Sequence, residues 1–292
     1  MGGLAAGFLL AAEADPLRAG YESVRSQARA AIKPEKNRVR PPRIRLTEAS
    51  VRVMTTPSRP CPSPDDALVI LAGGQSNAGN VIPTRYTAGD AVSVWYDGQC
   101  YPASDPLPGA TGDDGSIWSM LGDAVAKQTV RPVVLVLASF GGTQFRDWND
   151  PRTGLYDALE GRLVTARQAG FRPDVILWHQ GETDAGIERD FNALQRELVS
   201  LTDRLLKDAP GASLYLFQVS RCRDARRLNG VPEMISVFGS VAAANPRVVP
   251  GMNTDVLGKE YRWDECHFNA RGREAIVETS LPQIIALLQP QA

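Results

Sequence analysis

The sequence predicts an α/β fold: three layers, α/β/α, around a five-stranded and mainly parallel sheet. Three observations predict it. From Asp66 onward, short apolar runs alternate with longer stretches of helical periodicity, the pattern of strand–helix–strand units wound onto a parallel sheet. The short runs are rich in branched and aromatic side chains, as in strands covered on both faces. The first of them, Leu68–Leu71, drives straight into Gly73-Gly74-Gln75-Ser76-Asn77, a glycine turn followed by a small hydroxyl. Open α/β sheets present functional groups at such carboxyl ends of their strands.

The strands expected are Leu68–Leu71, Val92–Tyr96, Val133–Ala138, Val175–Trp178 and Leu214–Val219. Helical spacing is clearest over Ile117–Gln128, Leu155–Ala169, Asp190–Lys207, Glu233–Ala244 and Ala270–Leu288. These elements assign 66–292 to one domain. Ahead of it, the apolar run Gly2–Ala12 is too short to cross a bilayer. It closes on Ala12-Glu13-Ala14, a small-x-small pattern that ends secretory leaders. Residues 1–14 therefore read as a signal peptide, although no Lys or Arg precedes the run; the alternative is an N-terminal segment of a cytoplasmic protein. Residues 15–65 read as an appendage. It begins with a modest amphipathic helix (Leu17, Tyr21, Val24, Ala28) and continues as a basic arm from Lys33 to Arg45 broken by Pro34, Pro41 and Pro42. A short strand or hairpin over Ile44–Met54 and a linker from Pro57 to Pro64 complete it. The arm reads as a solvated linker, with contact to an anionic wall polymer as the alternative.

Composition excludes several classes. The 292 residues are 43% hydrophobic and 22% charged with a net charge of -1, so there is no electrostatic footprint for nucleic acid and no sign of stable membrane insertion. Two histidines and four cysteines without close-pair spacing argue against a zinc site, and no cofactor motif stands out. Oligomeric state is left open.

Four strand ends or helix starts collect residues with a common chemical use. They are Gly74-Gln75-Ser76-Asn77, Ser139-Phe140-Gly141-Gly142-Thr143, His179-Gln180-Gly181-Glu182-Thr183-Asp184 and Asp264-Glu265-Cys266-His267-Phe268. Ser76 becomes a nucleophile once a base takes its proton. His267 can be that base, and Asp264, three residues earlier, can hold the other ring nitrogen. The oxyanion needs donors, for which the Ser76 amide, the Gly142 (or Gly141) amide and the Gln180 side chain are candidates. Alternatives exist at each position: Ser76 as an ordinary helix N-cap and His267 as an ordinary helix-start residue. His179 reads as a hydrogen-bonded, half-buried residue shaping the pocket. Glu182 and Asp184 could be a glycosidase pair, but their spacing suits hydrogen bonding to turn backbone better.

In this order, the four blocks resemble the SGNH hydrolase superfamily, and most of all its branch of sialate O-acetylesterases and family-six acetylxylan esterases. The similarity runs from Leu68 to the end of the last helix. Gln75 and Gln180 stand where the commoner pattern has Asp and Asn, which matches the carbohydrate-esterase branch. The resemblance implies a flavodoxin-like SGNH fold and a metal-free, cofactor-free serine esterase acting on O-acetyl groups of carbohydrates. It implies Ser76, Asp264 and His267 as the triad, and Gly142 with Gln180 as oxyanion donors. Asn77, Gly141, Thr143, Arg146, Trp148, His179 and Glu182 are expected around the substrate pocket, with a plain surface position as the alternative for Arg146 and with Trp148, Trp178 and Trp263 divided between core and pocket wall. The rival readings are a broader short-chain esterase or thioesterase, and a carbohydrate-binding protein without turnover.

The four cysteines permit three connectivities. Cys222–Cys266 with Cys61–Cys100 would pin the Asp-x-x-His segment to the sheet and tie the linker to the loop after the second strand; four reduced thiols are the alternative. An even cysteine count and the leader favour a secreted or periplasmic location over a cytoplasmic one.

Overall fold

The structure, a computed structural model, describes residues 56–187, 190–223 and 229–289. The expected leader, N-terminal helix, basic arm and 44–54 strand lie outside the described residues. The strands are β1 (Leu68–Gly74), β2 (Val92–Tyr96), β3 (Gln99–Pro102), β4 (Val133–Ser139), β5 (Val175–His179), β6 (Ser213–Gln218) and β7 (Val248–Asn253). The helices are α1 (Ile117–Thr129), α2 (Phe145–Asn149), α3 (Leu155–Gln168), α4 (Glu182–Ile187), α5 (Phe191–Asp208), α6 (Pro232–Ala244) and α7 (Ala270–Leu288).

Side-chain alternation in β1 explains the layering. Val69 and Leu71 point into one core and Leu68, Ile70 and Ala72 into the other, as the two-residue repeat of a strand requires. The first core is closed by Leu159 and Leu163 of α3, Leu198 and Leu205 of α5 and Phe238 of α6. The second is closed by Ile117 and Leu121 of α1 and by Ile276 and Ile284 of α7. This is the three-layer α/β/α arrangement the sequence predicts.

The sheet has seven strands, not five, in the order β3-β2-β4-β1-β5-β6-β7. The two unforeseen strands are the edges. β3 returns antiparallel to β2 through the turn at Asp97-Gly98, and only Cys100 of its four residues is buried. β7 pairs parallel with β6 but carries Pro250 and Gly251, residues that depress a strand signal and that edges tolerate. Cys100, expected in a loop, therefore sits on β3, and its disulfide to Cys61 fastens the edge strand to the 57–64 segment. Arg59 reinforces the attachment: its amide donates to the Cys100 carbonyl at 2.8 Å and its guanidinium to Ser93 Oγ at 2.8 Å. The stretch expected as a linker is bound to the sheet edge.

In the chain-entropy account, closing the 39-residue span between Cys61 and Cys100 stabilises by about 3–4 kcal/mol. Replacing both by Ser should lower unfolding stability by about that amount in a urea titration. An unchanged midpoint would show that the edge strand holds without its covalent tie.

Candidate active site

β1 lies between β4 and β5, and the registers align their ends: Gly74 is level with Ser139 on one side and with His179 on the other. Gly74 has φ +136, and a Cβ there would collide with the His179 carbonyl, so no other residue turns the chain at this point without strain. The turn lifts Ser76 onto a single 3₁₀ turn, Ser76–Ala78, with its hydroxyl half-exposed beyond the sheet.

His267 reaches Ser76 from the loop before α7. Its Nε2 lies 3.0 Å from Ser76 Oγ and its Nδ1 2.9 Å from Asp264 Oδ2. Asp264 also accepts from the His267 amide, at 2.7 Å, and from the Cys266 amide, at 3.1 Å, so one carboxylate sets both the ring and the backbone that carries it. Serine, imidazole and carboxylate stand in hydrogen-bonded sequence, the arrangement needed for base-assisted nucleophilic attack.

The two glycines of the second block are distinguished by their hydrogen bonds. The Gly141 amide donates to Thr111 Oγ1 at 3.0 Å and is committed. The amides of Gly142, at φ +74, and of Ser76 have no protein acceptor among the described residues. Gln180 follows directly on β5, beside the Ser76 turn. It is fully buried, and neither atom of its amide has a hydrogen-bond partner among the described residues. A buried amide without a partner costs about 1–3 kcal/mol.

Several residues expected around the pocket are instead interior. Trp148 is in the core, its ring 4.8 Å from that of Trp178 and its indole donating to Thr143 Oγ1 at 3.2 Å. Thr143 is buried by the same packing. His179, expected half-buried, is wholly buried between Phe217 and Phe268; burial pushes its imidazole down to about 3, so it is neutral. Glu182 and Asp184, expected on a loop, open α4 and are buried. Asp184 accepts from the Phe145 amide at 3.0 Å. Glu182 accepts from Asn77 Nδ2 at 2.7 Å, and burial pushes its carboxyl up to about 7. Arg146 is exposed and donates to Gln144 Oε1 at 2.8 Å. Gly141 is exposed next to Ser76.

Asn77 is a brace and not a pocket wall. Fully buried, it donates to Glu182 and, at 3.3 Å, to the Cys266 carbonyl, while its Oδ1 accepts from the Phe268 amide at 3.1 Å. The serine turn thus grips the residues on either side of His267. The second disulfide, Cys222–Cys266, ties the same loop to the end of β6. Trp263 is half-exposed at the lip, its ring 5.9 Å from the His267 ring at 23°. Among the described residues, no group of three His, Cys, Asp or Glu is placed to hold a metal ion, and no helix is long and apolar enough to cross a membrane.

The family described as carbohydrate esterase, sialic acid-specific acetylesterase, matches residues 67–279. The chain belongs to this family. Among solved structures, this esterase-family chain resembles a protein from Arabidopsis thaliana, with TM-score 0.61 and 16% identity over 76% of this chain and 98% of that one. It also resembles NanS, with TM-score 0.52 and 14% identity over 77% and 98%. At such identities the likeness is one of fold. A search of curated proteins gave no match.

Two arginines at the esterase-family site were not anticipated. Arg262 is buried under the His267 loop, where it donates to the carbonyls of Leu257, Thr254 and Cys266 and lies 4.4 Å over the Phe268 ring. Arg223, exposed and next to Cys222, pairs with Asp264. Arginines are usually solvent-facing; the available signal was the adjacency of each to an already suspect residue. Together with burial, which acts most strongly, the charges of Arg223 and Arg262 push the His267 imidazole down to about 4, so it is neutral and able to accept a proton above that pH.

Asn77→Ala should cost about 2–4 kcal/mol in chemical denaturation, because it strands buried partners on both sides of His267; a loss below about 1 kcal/mol would remove Asn77 as the brace. Arg223→Gln takes a positive charge away from the imidazole and should raise the His267 titration midpoint, read by proton NMR. A midpoint at or below that of the parent would contradict the electrostatic account.

Proposed function

We propose that this chain is a serine esterase that hydrolyses O-acetyl esters on carbohydrates through an acetyl-serine intermediate. The observation that carries the reading is the unbroken line from Ser76 Oγ through the His267 ring to Asp264, at 3.0 and 2.9 Å. As His267 Nε2 takes the Ser76 proton, Oγ attacks the acetyl carbonyl carbon. The resulting oxyanion is met by the idle amides of Ser76 and Gly142 and by the Gln180 side chain. His267 returns the proton to the departing sugar hydroxyl as the ester C–O bond breaks. In the second half His267 deprotonates a water that attacks the acetyl-serine, releasing acetate and free Ser76. Asp264 keeps the tautomer fixed and stabilises the imidazolium formed midway.

Membership of a carbohydrate-esterase family supports a sugar as the bearer of the acetyl group, and no step calls on a metal or organic cofactor. Two disulfides support an oxidising, secreted or periplasmic location.

Ser76→Ala should lose at least about a thousandfold in acetate release. The assay should compare O-acetylated sialic acid, acetylated xylan and O-acetylated peptidoglycan, with a thermal melt to show that the fold is kept. Undiminished release by a folded Ser76→Ala protein would end the proposal.

A further inference from the structure

Four of the five tryptophans are buried in the two cores, whereas Trp263 is 52% exposed. Its orientation is nevertheless determined. The indole N–H donates to the Val81 carbonyl at 3.1 Å, the backbone amide donates to the His267 carbonyl at 3.0 Å, and the ring lies at 23° to the His267 imidazole with centroids 5.9 Å apart. The result is an apolar plate held at the mouth of the site, beside the imidazole that touches Ser76. Its polar tip is already satisfied, so what it offers is a flat face with negative quadrupole character. That face suits the row of axial C–H groups on a saturated ring better than a charged or hydrogen-bonding edge. Gly141, where a Cβ would lie 3.5 Å from both Ser76 Cβ and Thr111 Oγ1, brings no side chain against the serine.

We infer that Trp263 is the sugar-ring subsite, a platform on which the pyranose bearing the acetyl group stacks while its ester reaches Ser76. This rests on the esterase reading for the orientation of the ester, but the stacking itself does not require turnover.

The test separates the two. In the Ser76→Ala protein, titration with 9-O-acetylated sialic acid and with methyl 2-O-acetyl-xylopyranoside should perturb the exposed indole fluorescence saturably. Adding Trp263→Leu should abolish the signal and weaken binding by calorimetry at least tenfold, with Trp263→Phe retaining part of it. In the Ser76 background, Trp263→Leu should raise KM for the acetylated pyranoside at least tenfold more than KM for ethyl acetate, which has no ring. An equal rise for both esters, or a fall in kcat alone, would reduce Trp263 to a support for His267 and overturn the inference. So would sugar binding that ignores the substitution. Should Trp263→Leu fail to fold, the fluorescence titration and the Phe variant decide. Binding through Trp263 without acetate release by the unmutated protein would uphold the subsite and sink the esterase reading.

Discussion

The constraint on which the structure depends is the double pairing of β1. A strand with neighbours on both sides cannot slip against either, because a one-residue shift would send every side chain into the wrong core. Leu68 through Ala72 alternate between two dry interiors, so their register is set by burial alone. That register brings Gly74, Ser139 and His179 to a common level, and the chain leaves the sheet in three places within reach of one another. The serine turn, the double-glycine turn and the Gln180 segment are neighbours because hydrophobic strands are in register, not because their polar side chains attract.

The imidazole is brought in differently, by buried polar groups. Its loop owes its position to Asn77, Arg262 and Asp264, which take polar atoms out of water, and to the Cys222–Cys266 cross-link. Such groups stabilise little in net terms but are costly when unmatched, so the loop has few alternative arrangements. The same burial that makes the network unforgiving disfavours the charged forms of His179 and His267. Burial therefore both limits the arrangements open to the loop and, with the charges of Arg223 and Arg262, keeps the His267 imidazole neutral.

How much of this was legible in the sequence follows from the kind of signal each part emits. Apolar runs and helical spacing announced the five central strands and the long helices; α7, from Ala270 to Leu288, has the bounds its periodicity indicates. β3 has only four residues and is half-wet, and β7, though six residues long, is interrupted by Pro250 and Gly251, so neither edge gave a run to read. Side chains with chemical uses, Ser76, Asp264 and His267, were recognisable because they occur at predicted strand ends or helix starts, and the structure brings them together. Burial of polar residues was not readable. Thr143, Trp148, His179 and Glu182 were expected around the pocket from the family resemblance, but a sequence reports that a residue lies near a turn, not which way it faces. Arg262 was invisible for the same reason, its burial depending on three carbonyls contributed by the folded loop.

His267 lies between Cys266, bonded covalently to the segment just after β6, and Phe268, whose amide is held by Asn77. The conformational entropy of this loop is thus given up when the protein folds, before any ligand arrives. In the esterase proposed above, a tetrahedral mimic would meet an imidazole already held 3.0 Å from Ser76 Oγ, with no ordering of the loop left to oppose binding. Among the described residues, the covalent and hydrogen bonds that hold the His267 loop in this position are already made without a ligand.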